Sequence, residues 1–194
     1  DPVVTLTYPN GGEVIAVGDK ANVAWTTIGG VSDALVLEFS PDGGATYYFV
    51  ATVVNSGAYV WTVPDYITSN AIFKIHDGQR PVTADVSDLP FIINPLPTID
   101  ITAPDGGEVL VLGETSDITW TYTGLSISNN LVIEISNDNF STRQIVATGV
   151  PNTGLYRWLL PDSTLTGPTL KISITDGNRT IITNKSDGYF RIRG

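Results

Sequence analysis

Residues 9–14 read Pro-Asn-Gly-Gly-Glu-Val, and residues 104–109 read Pro-Asp-Gly-Gly-Glu-Val. A second segment, Leu-Val-Leu-Glu-Phe-Ser at 35–40, returns as Leu-Val-Ile-Glu-Ile-Ser at 131–136. Repetition of whole segments at a nearly constant spacing is typical of chains built from repeated structural units. The chain is therefore a duplication, and the repeated segments decide its fold.

The spacing between matching segments grows slowly along the chain. Pro9 matches Pro104, an offset of 95, whereas Phe91 matches Phe190, an offset of 99. The extra residues fall between the repeated segments, where loops tolerate insertions. This predicts one module over residues 1–93, a linker at 94–98 and a second module over 99–194. Because the linker contains two prolines, we expect an extended, semi-rigid spacer.

Apolar residues alternate with small or polar ones within each module. Leu35, Leu37 and Phe39 are one example, and Val23 with Trp25 is another. A period of two predicts strands with one buried face, and turn sequences such as Asn-Gly-Gly separate them. About seven short strands per module predict an all-β fold of two tandem immunoglobulin-like (fibronectin-III-like) antiparallel sandwiches. The chain has no Cys, so we expect buried tryptophans to fill the core in place of a disulfide.

The ordered set of repeated segments resembles a known domain. The Pro-Asn-Gly-Gly-Glu segment, Trp25, the strand at 35–40 and a closing Ser-Asp-x-x-Phe are similar to the immunoglobulin-like domain of fungal cell-wall glucan-assembly and Ser/Thr-rich GPI-anchored proteins. That domain also occurs in bacterial and archaeal surface proteins. The resemblance covers nearly all of both modules and departs at Ile15 and Leu110, where an aromatic is expected. It implies an extracellular or cell-surface location and a spacer, assembly or adhesive role without catalytic residues.

Composition excludes several functions. The net charge is −10 and the ten basic residues are not clustered, which argues against nucleic-acid binding. No apolar stretch is long enough for a membrane-spanning helix, so no membrane insertion is expected. A single histidine, His76, rules out a multi-histidine zinc site, and we expect no enzyme and no cofactor. Glu13 and Glu108 follow Gly-Gly and are predicted to accept backbone N–H groups at a sharp turn.

Two kinds of polar site are left open. Asp42 and the residues at 137–139 place oxygen-rich side chains on turns, which permits a structural calcium ion, although such residues usually bond their own backbone. Asn139, Asn178 and Asn184 each begin an Asn-x-Ser/Thr sequence, all in module two. They are either glycosylation sites or unmodified polar turns. The chain starts at Asp1 and has no Met, from which we expect removal of a preceding segment.

The differences between the modules point to function. Module one carries ten acids and three bases, net −7, and module two carries ten acids and seven bases, net −3. Tyr47, Tyr48 and Phe49 form an aromatic run that module two lacks, and Arg191 and Arg193 close the chain. These features predict head-to-tail self-association into a homopolymer, as in an extracellular filament or surface layer. The alternative is an adhesive or carbohydrate-binding pair of modules from a larger surface protein that recognises cell-wall glycans, with Tyr47, Tyr48 and Tyr66 as its stacking surface.

Overall fold

The computed structural model describes residues 1–125 and 127–194. The chain divides into two compact units, Asp1–Leu96 and Pro97–Gly194. We call them module one and module two. Every regular element of the described residues is a strand, so the predicted all-β fold is confirmed. Each module has nine strands, two more than the expected seven; its shortest strands have three residues, as in Val14–Ala16 and Ala84–Val86.

The strands occur in the same order in both modules. Those of module one are β1 (Val3–Tyr8), β2 (Val14–Ala16), β3 (Lys20–Ile28), β4 (Ala34–Ser40), β5 (Tyr48–Val54), β6 (Ala58–Thr62), β7 (Thr68–Asp77), β8 (Ala84–Val86) and β9 (Phe91–Asn94). Those of module two are β10 (Thr98–Ala103), β11 (Val109–Val111), β12 (Thr115–Thr123), β13 (Leu131–Ser136), β14 (Gln144–Val150), β15 (Leu155–Leu159), β16 (Gly167–Asp176), β17 (Thr183–Lys185) and β18 (Phe190–Arg193).

Each module is a sandwich of a small and a large sheet. In module one the small sheet has the order β1-β3-β6, and the large sheet has the order β2-β9-β7-β4-β5, with β8 also paired to β7. Module two repeats this as β10-β12-β15 and β11-β18-β16-β13-β14, with β17 paired to β16. Pairing is antiparallel except between β2 and β9 and between β11 and β18. This is the immunoglobulin-like sandwich that the sequence predicts.

The repeated Gly-Gly-Glu segment carries the chain from the small sheet to the large one. It lies between β1 and β2, where Gly11 has a φ of 130° and a Cβ there would come within 2.5 Å of the Leu89 side chain. The Glu13 carboxylate accepts the N–H groups of Asn10 and Gly11, both at 2.8 Å. Glu108 accepts the matching pair in module two, also at 2.8 Å. The predicted role of these glutamates in the turn is confirmed.

A tryptophan on the central strand of each small sheet anchors the core. Trp25 and Trp120 are each 3% exposed, which confirms the predicted burial. The Trp25 Nε1–H donates to Asn55 Oδ1 at 3.0 Å, and the Trp120 Nε1–H donates to Asn152 Oδ1 at 2.8 Å. Each indole therefore buries its rings while its polar N–H is satisfied, which is how large aromatic residues are accommodated in cores.

Several acids of module one act as internal hydrogen-bond acceptors. Asp77 is fully buried and accepts the N–H and hydroxyl of Ser32 at 3.0 and 2.6 Å. The Ser32 hydroxyl is the main cause of a lowered pKa at Asp77, with backbone N–H groups adding to it. Asp85 accepts the Leu6 N–H at 2.7 Å and so links the two sheets. Part of the acidic character of module one is therefore internal to its fold.

Candidate functional site

An aromatic cleft opens on one side of the module-one sandwich. It has a volume of about 370 Å³ and lies between β5 and β6, which are edge strands of the large and the small sheet. The lining is uncharged and mainly aromatic or aliphatic. It consists of Phe39, Tyr48, Phe49, Val50, Tyr59, Val60, Trp61, Thr62, Pro64 and Tyr66.

The rings of this cleft form a continuous set from the core to the surface. Phe39 packs against buried Trp61 with ring centroids 5.2 Å apart and against Tyr66 at 6.0 Å. Tyr66 in turn stacks on Tyr48 at 5.5 Å with an interplanar angle of 28°. Tyr48 and Tyr66 remain 45% and 42% exposed, so their outer faces are available for contact. The neighbouring Tyr66 phenol raises the pKa of Tyr48.

The predicted aromatic run divides between two surfaces. Tyr48 and Phe49 line the cleft, and Phe49 is 67% exposed. Tyr47 lies elsewhere: the Lys74 ammonium sits over its ring, 4.9 Å from the centroid. A register shift between Leu37 and Glu38 in the β4–β5 pairing interrupts regular alternation next to this run. The cleft residues that the aromatic run alone did not indicate, Tyr59 and Trp61, come from the opposite sheet.

The matching surface of module two is smaller and is closed by a polar side chain. Gln144 occupies the position of Tyr48 in module one. In the strand pairing Gln144 lies opposite Ile135, and Tyr48 lies opposite the equivalent residue Phe39. Its amide donates to the Ser163 carbonyl at 2.8 Å and accepts the Leu165 N–H at 2.6 Å. The depression that remains has a volume of about 160 Å³. The aromatic cleft is therefore a property of module one and not of the sandwich structure that the two modules share.

The two C-terminal arginines lie on the outer face of the large sheet of module two. Arg191 and Arg193 are exposed and alternate with buried Phe190 and Ile192 along β18. In the parallel register Arg191 faces Val109 on edge strand β11, and Val109 is 51% exposed. Two cations and an apolar side chain thus share one face at a sheet edge.

The turn sites considered for calcium bind their own backbone. The Asp138 carboxylate accepts the Thr142 N–H at 2.9 Å and the Ser136 hydroxyl at 2.7 Å. Hydrogen bonds from Thr142 are the main cause that lowers the pKa of Asp138 to about 2. Asp42 makes the same contacts with Thr46 and Ser40. Over residues 1–125 and 127–194, no three acids or histidines are grouped so that they could hold a metal ion.

The three sequons occupy different environments. Asn139 is exposed in a turn and has a φ of 57°. Asn178 is exposed and accepts a hydrogen bond from the Asn130 amide at 2.9 Å. Asn184 is half-buried, and its Oδ1 accepts the Ile101 N–H at 3.0 Å, the sheet-to-sheet link that Asp85 makes in module one. Asn139 and Asn178 are thus the more accessible of the three.

The fold is similar to several solved tandem-repeat structures. Fibronectin(III)-like modules of Clostridium thermocellum CbhA align over 98% of this chain and 94% of theirs, with 16% identity and a TM-score of 0.38. Tandem Ig repeats of Dlar align over 100% of both chains, with 15% identity and a TM-score of 0.31. A tetra-tandem repeat from the extending region of a large adhesion protein aligns over 99% of this chain and 49% of that one, with 14% identity and a TM-score of 0.38.

The similarity is limited to the architecture. No protein-family model matches this chain, and no curated protein matches it in sequence. The assignment of two tandem immunoglobulin-like sandwiches rests on the strand order and register within each module. None of the described segments forms a helix with the length and apolar character needed to cross a bilayer.

Proposed function

We propose that the chain is a non-enzymatic, extracellular structural pair of modules that self-associates head to tail through the aromatic cleft. The observation that carries this proposal is the position of the cleft between two edge strands. β5 and β6 each have a single strand partner within the described residues, and they present Phe49 and Val60, which are 67% and 59% exposed. A protein strand can cover both the rings and the free backbone groups of such edges, whereas a small ligand leaves the edges unpaired.

The surface that carries Arg191 and Arg193 is the proposed counterpart in the next copy. Arginine stacks on tyrosine rings, and guanidinium groups are enriched in protein interfaces. Module one has a net charge of −7, and although Asp77 and Asp85 accept internal hydrogen bonds, its remaining acids attract this basic edge and increase the rate of encounter. Because the cleft and the basic edge are different surfaces, the contact is heterologous and adds copies one after another into a filament or layer.

Sedimentation velocity over a range of protein concentrations tests the proposal. The variant Tyr48→Gln with Tyr66→Ser replaces the cleft tyrosines by the residues of module two and is expected to remain monomeric. Arg191→Glu with Arg193→Glu is expected to raise the concentration for half-assembly by at least about tenfold, because the acidic module one then repels an acidic edge instead of attracting a basic one. Added salt should weaken assembly of the wild type, since exposed charges are screened.

Mixing the two variants provides the decisive control. The first keeps an intact basic edge and the second keeps an intact cleft, so an equimolar mixture should form heterodimers and stop there. A wild-type chain that stays monomeric at high concentration in low salt contradicts the proposal. Polymers that persist in both double variants would place the contact elsewhere, for example on strand exchange through β1 (Val3–Tyr8).

A second candidate is binding of a neutral saccharide in the same cleft. It is supported by the stacked pair of Tyr48 and Tyr66 and by the uncharged lining, which suit the apolar face of a sugar ring. The two functions are separated by titrating a neutral saccharide into each of two double variants and measuring its affinity. One variant carries Tyr48→Gln and Tyr66→Ser, and the other carries Arg191→Glu and Arg193→Glu. Saccharide binding requires the tyrosines and is indifferent to the arginines, whereas assembly requires both.

A further inference from the structure

A polar basin of about 570 Å³ lies on the outer face of the large sheet of module two. It belongs to the opposite module from the aromatic cleft and differs from it in chemistry. Its lining comes from β13, β16, β17 and the segment before β14. The polar side chains that carry the argument are Glu134, Arg143, Ser173, Thr175, Thr183 and Lys185.

Module one occupies the same surface with its own side chains. Lys74 stands where module two has Ser173, because each faces the glutamate of the neighbouring strand, Glu38 or Glu134. The Lys74 ammonium lies 2.7 Å from the Glu38 carboxylate, and the His76 ring lies 3.8 Å from it. Module two replaces Lys74 and His76 by Ser173 and Thr175, which are shorter and uncharged. The basin therefore results from a change of residues on a common frame.

Two cations at the basin lie close to one aromatic ring. Lys185 Nζ lies 4.5 Å and the Arg143 guanidinium 5.7 Å from the centroid of Phe140. The Arg143 Nη1 is also 3.0 Å from Glu134 Oε2. Glu134 neutralises one of the two cations, so the basin has a net charge of about +1. Its side chains are thus arranged to attract a single negative charge.

The floor of the basin contains hydroxyl groups, one of which lacks a partner. Ser173 is 3% exposed, and within the described part of the chain its Oγ makes no hydrogen bond. A buried polar atom without a partner destabilises a protein by about 1–3 kcal/mol, which a bound hydroxyl would relieve. The hydroxyls of Thr175 and Thr183 lie 2.7 Å apart beside it and retain further donor and acceptor capacity.

We propose that this basin binds a hexuronate residue of an acidic polysaccharide. The uronate carboxylate pairs with Lys185 and Arg143, and its ring hydroxyls bond to Ser173 and Thr175. A volume of about 570 Å³ corresponds to roughly twenty water molecules, so an inorganic anion would fill only a small part of it. A neutral sugar would leave the net positive charge uncompensated. An acidic sugar compensates the positive charge, bonds to the hydroxyl groups and is large enough to fill the volume.

Titration of the isotopically labelled full chain with tri-galacturonate, followed by amide NMR shifts, tests this site. The methyl ester of the same trisaccharide is the ligand control, because it removes the charge and keeps the shape. We expect saturable shifts at Ser173, Thr175 and Lys185, and at least about tenfold weaker binding of the ester. Arg143→Gln with Lys185→Gln should weaken binding by a similar factor, and Ser173→Lys should fill the basin and abolish it.

Matched variants separate this site from other causes. Arg157→Gln removes a cation outside the basin, on the small sheet, where Arg157 pairs with Asp117, and it should change the affinity by less than about twofold. The titration is repeated in Tyr48→Gln with Tyr66→Ser, in which the cleft is disabled, and the affinity should be unchanged. Free galacturonate distinguishes recognition of a single residue from recognition of a chain. Equal binding of the ester, equal binding of sulfate, or the absence of saturable shifts at these residues overturns the proposal.

Discussion

The two modules share one sandwich fold and differ in the side chains that this fold exposes. On the open side of module one, Tyr48 and Tyr66 stack at the mouth of a cleft of about 370 Å³. On the same side of module two, Gln144 bonds the Ser163 carbonyl and the Leu165 N–H and leaves about 160 Å³. The same sandwich therefore presents an aromatic cleft in module one and a smaller, more polar depression in module two, where Gln144 and Ser163 replace Tyr48 and Tyr66.

The largest expected effect is the loss of stability when either core tryptophan is removed, and it tests whether both modules depend on the same core residue. Trp25→Ala and Trp120→Ala each remove an indole that is 3% exposed and bonded to an asparagine. Each variant should lose about 3–5 kcal/mol from the free energy of unfolding of its own module, because a large cavity remains. Urea unfolding followed by the remaining tryptophans measures both. A marked inequality between the two variants would show that the modules do not depend on this residue equally.

The buried aspartates give the next effect, which depends on pH. Hydrogen bonds from Ser32 lower the pKa of Asp77; at Asp176 burial raises the pKa, but bonds from Ser128 and nearby N–H groups outweigh it and lower it. Because each folded-state pKa is below the unfolded value of about 4, this stabilisation is present above about pH 4 and is lost as the pH falls further.

Asp77→Asn and Asp176→Asn should therefore destabilise their modules more at pH 7 than at pH 2.5, where part of this stabilisation is already lost. Thermal unfolding at pH 7 and at pH 2.5 checks this sign in both modules. A difference between wild type and variant that grows on acidification would mean that these carboxyls do not titrate as described.

The smallest effect on stability distinguishes the closed edge from the open one. Gln144→Ala removes two hydrogen bonds that hold the loop after β15, which should cost about 1–2 kcal/mol in module two. Tyr48→Ala removes one stacking contact in module one, which should cost about 0.5–1.5 kcal/mol. Urea unfolding of the two variants compares these costs, and a larger loss for Tyr48→Ala would indicate that the cleft tyrosines serve stability first.

The sequence predicts the sandwich shared by the two modules well, because the same pattern of residues occurs in both. Glu13 with Glu108 and Trp25 with Trp120 have the roles that repetition suggests, since local turn geometry and alternation determine them. The cleft was only partly predictable. Tyr48 belongs to a visible aromatic run, but its stacking partner Tyr66 lies in the segment between β6 and β7. Tyr59 and Trp61 come from the small sheet, and Tyr47 contacts Lys74 instead.

Two further features depend on contacts that are distant in sequence. Gln144 donates a hydrogen bond to the segment after β15, nearly twenty residues further along the chain. The alternation of apolar and polar residues does not predict this contact. The excess of acids in module one suggested an external field, yet Asp77 and Asp85 accept internal hydrogen bonds. The number of charges in a sequence does not reveal which of them face solvent.

Hydrogen exchange of the wild-type chain at low and high protein concentration tests the central claim, that module one alone presents a binding edge. We predict that amides of β5 and β6 exchange more slowly at high concentration, together with those near Arg191 and Arg193, while β14 and β15 are unchanged. Tyr48→Gln with Tyr66→Ser should abolish the difference. Equal protection of β5 and β14, or no change in β5 at any concentration, would contradict the account.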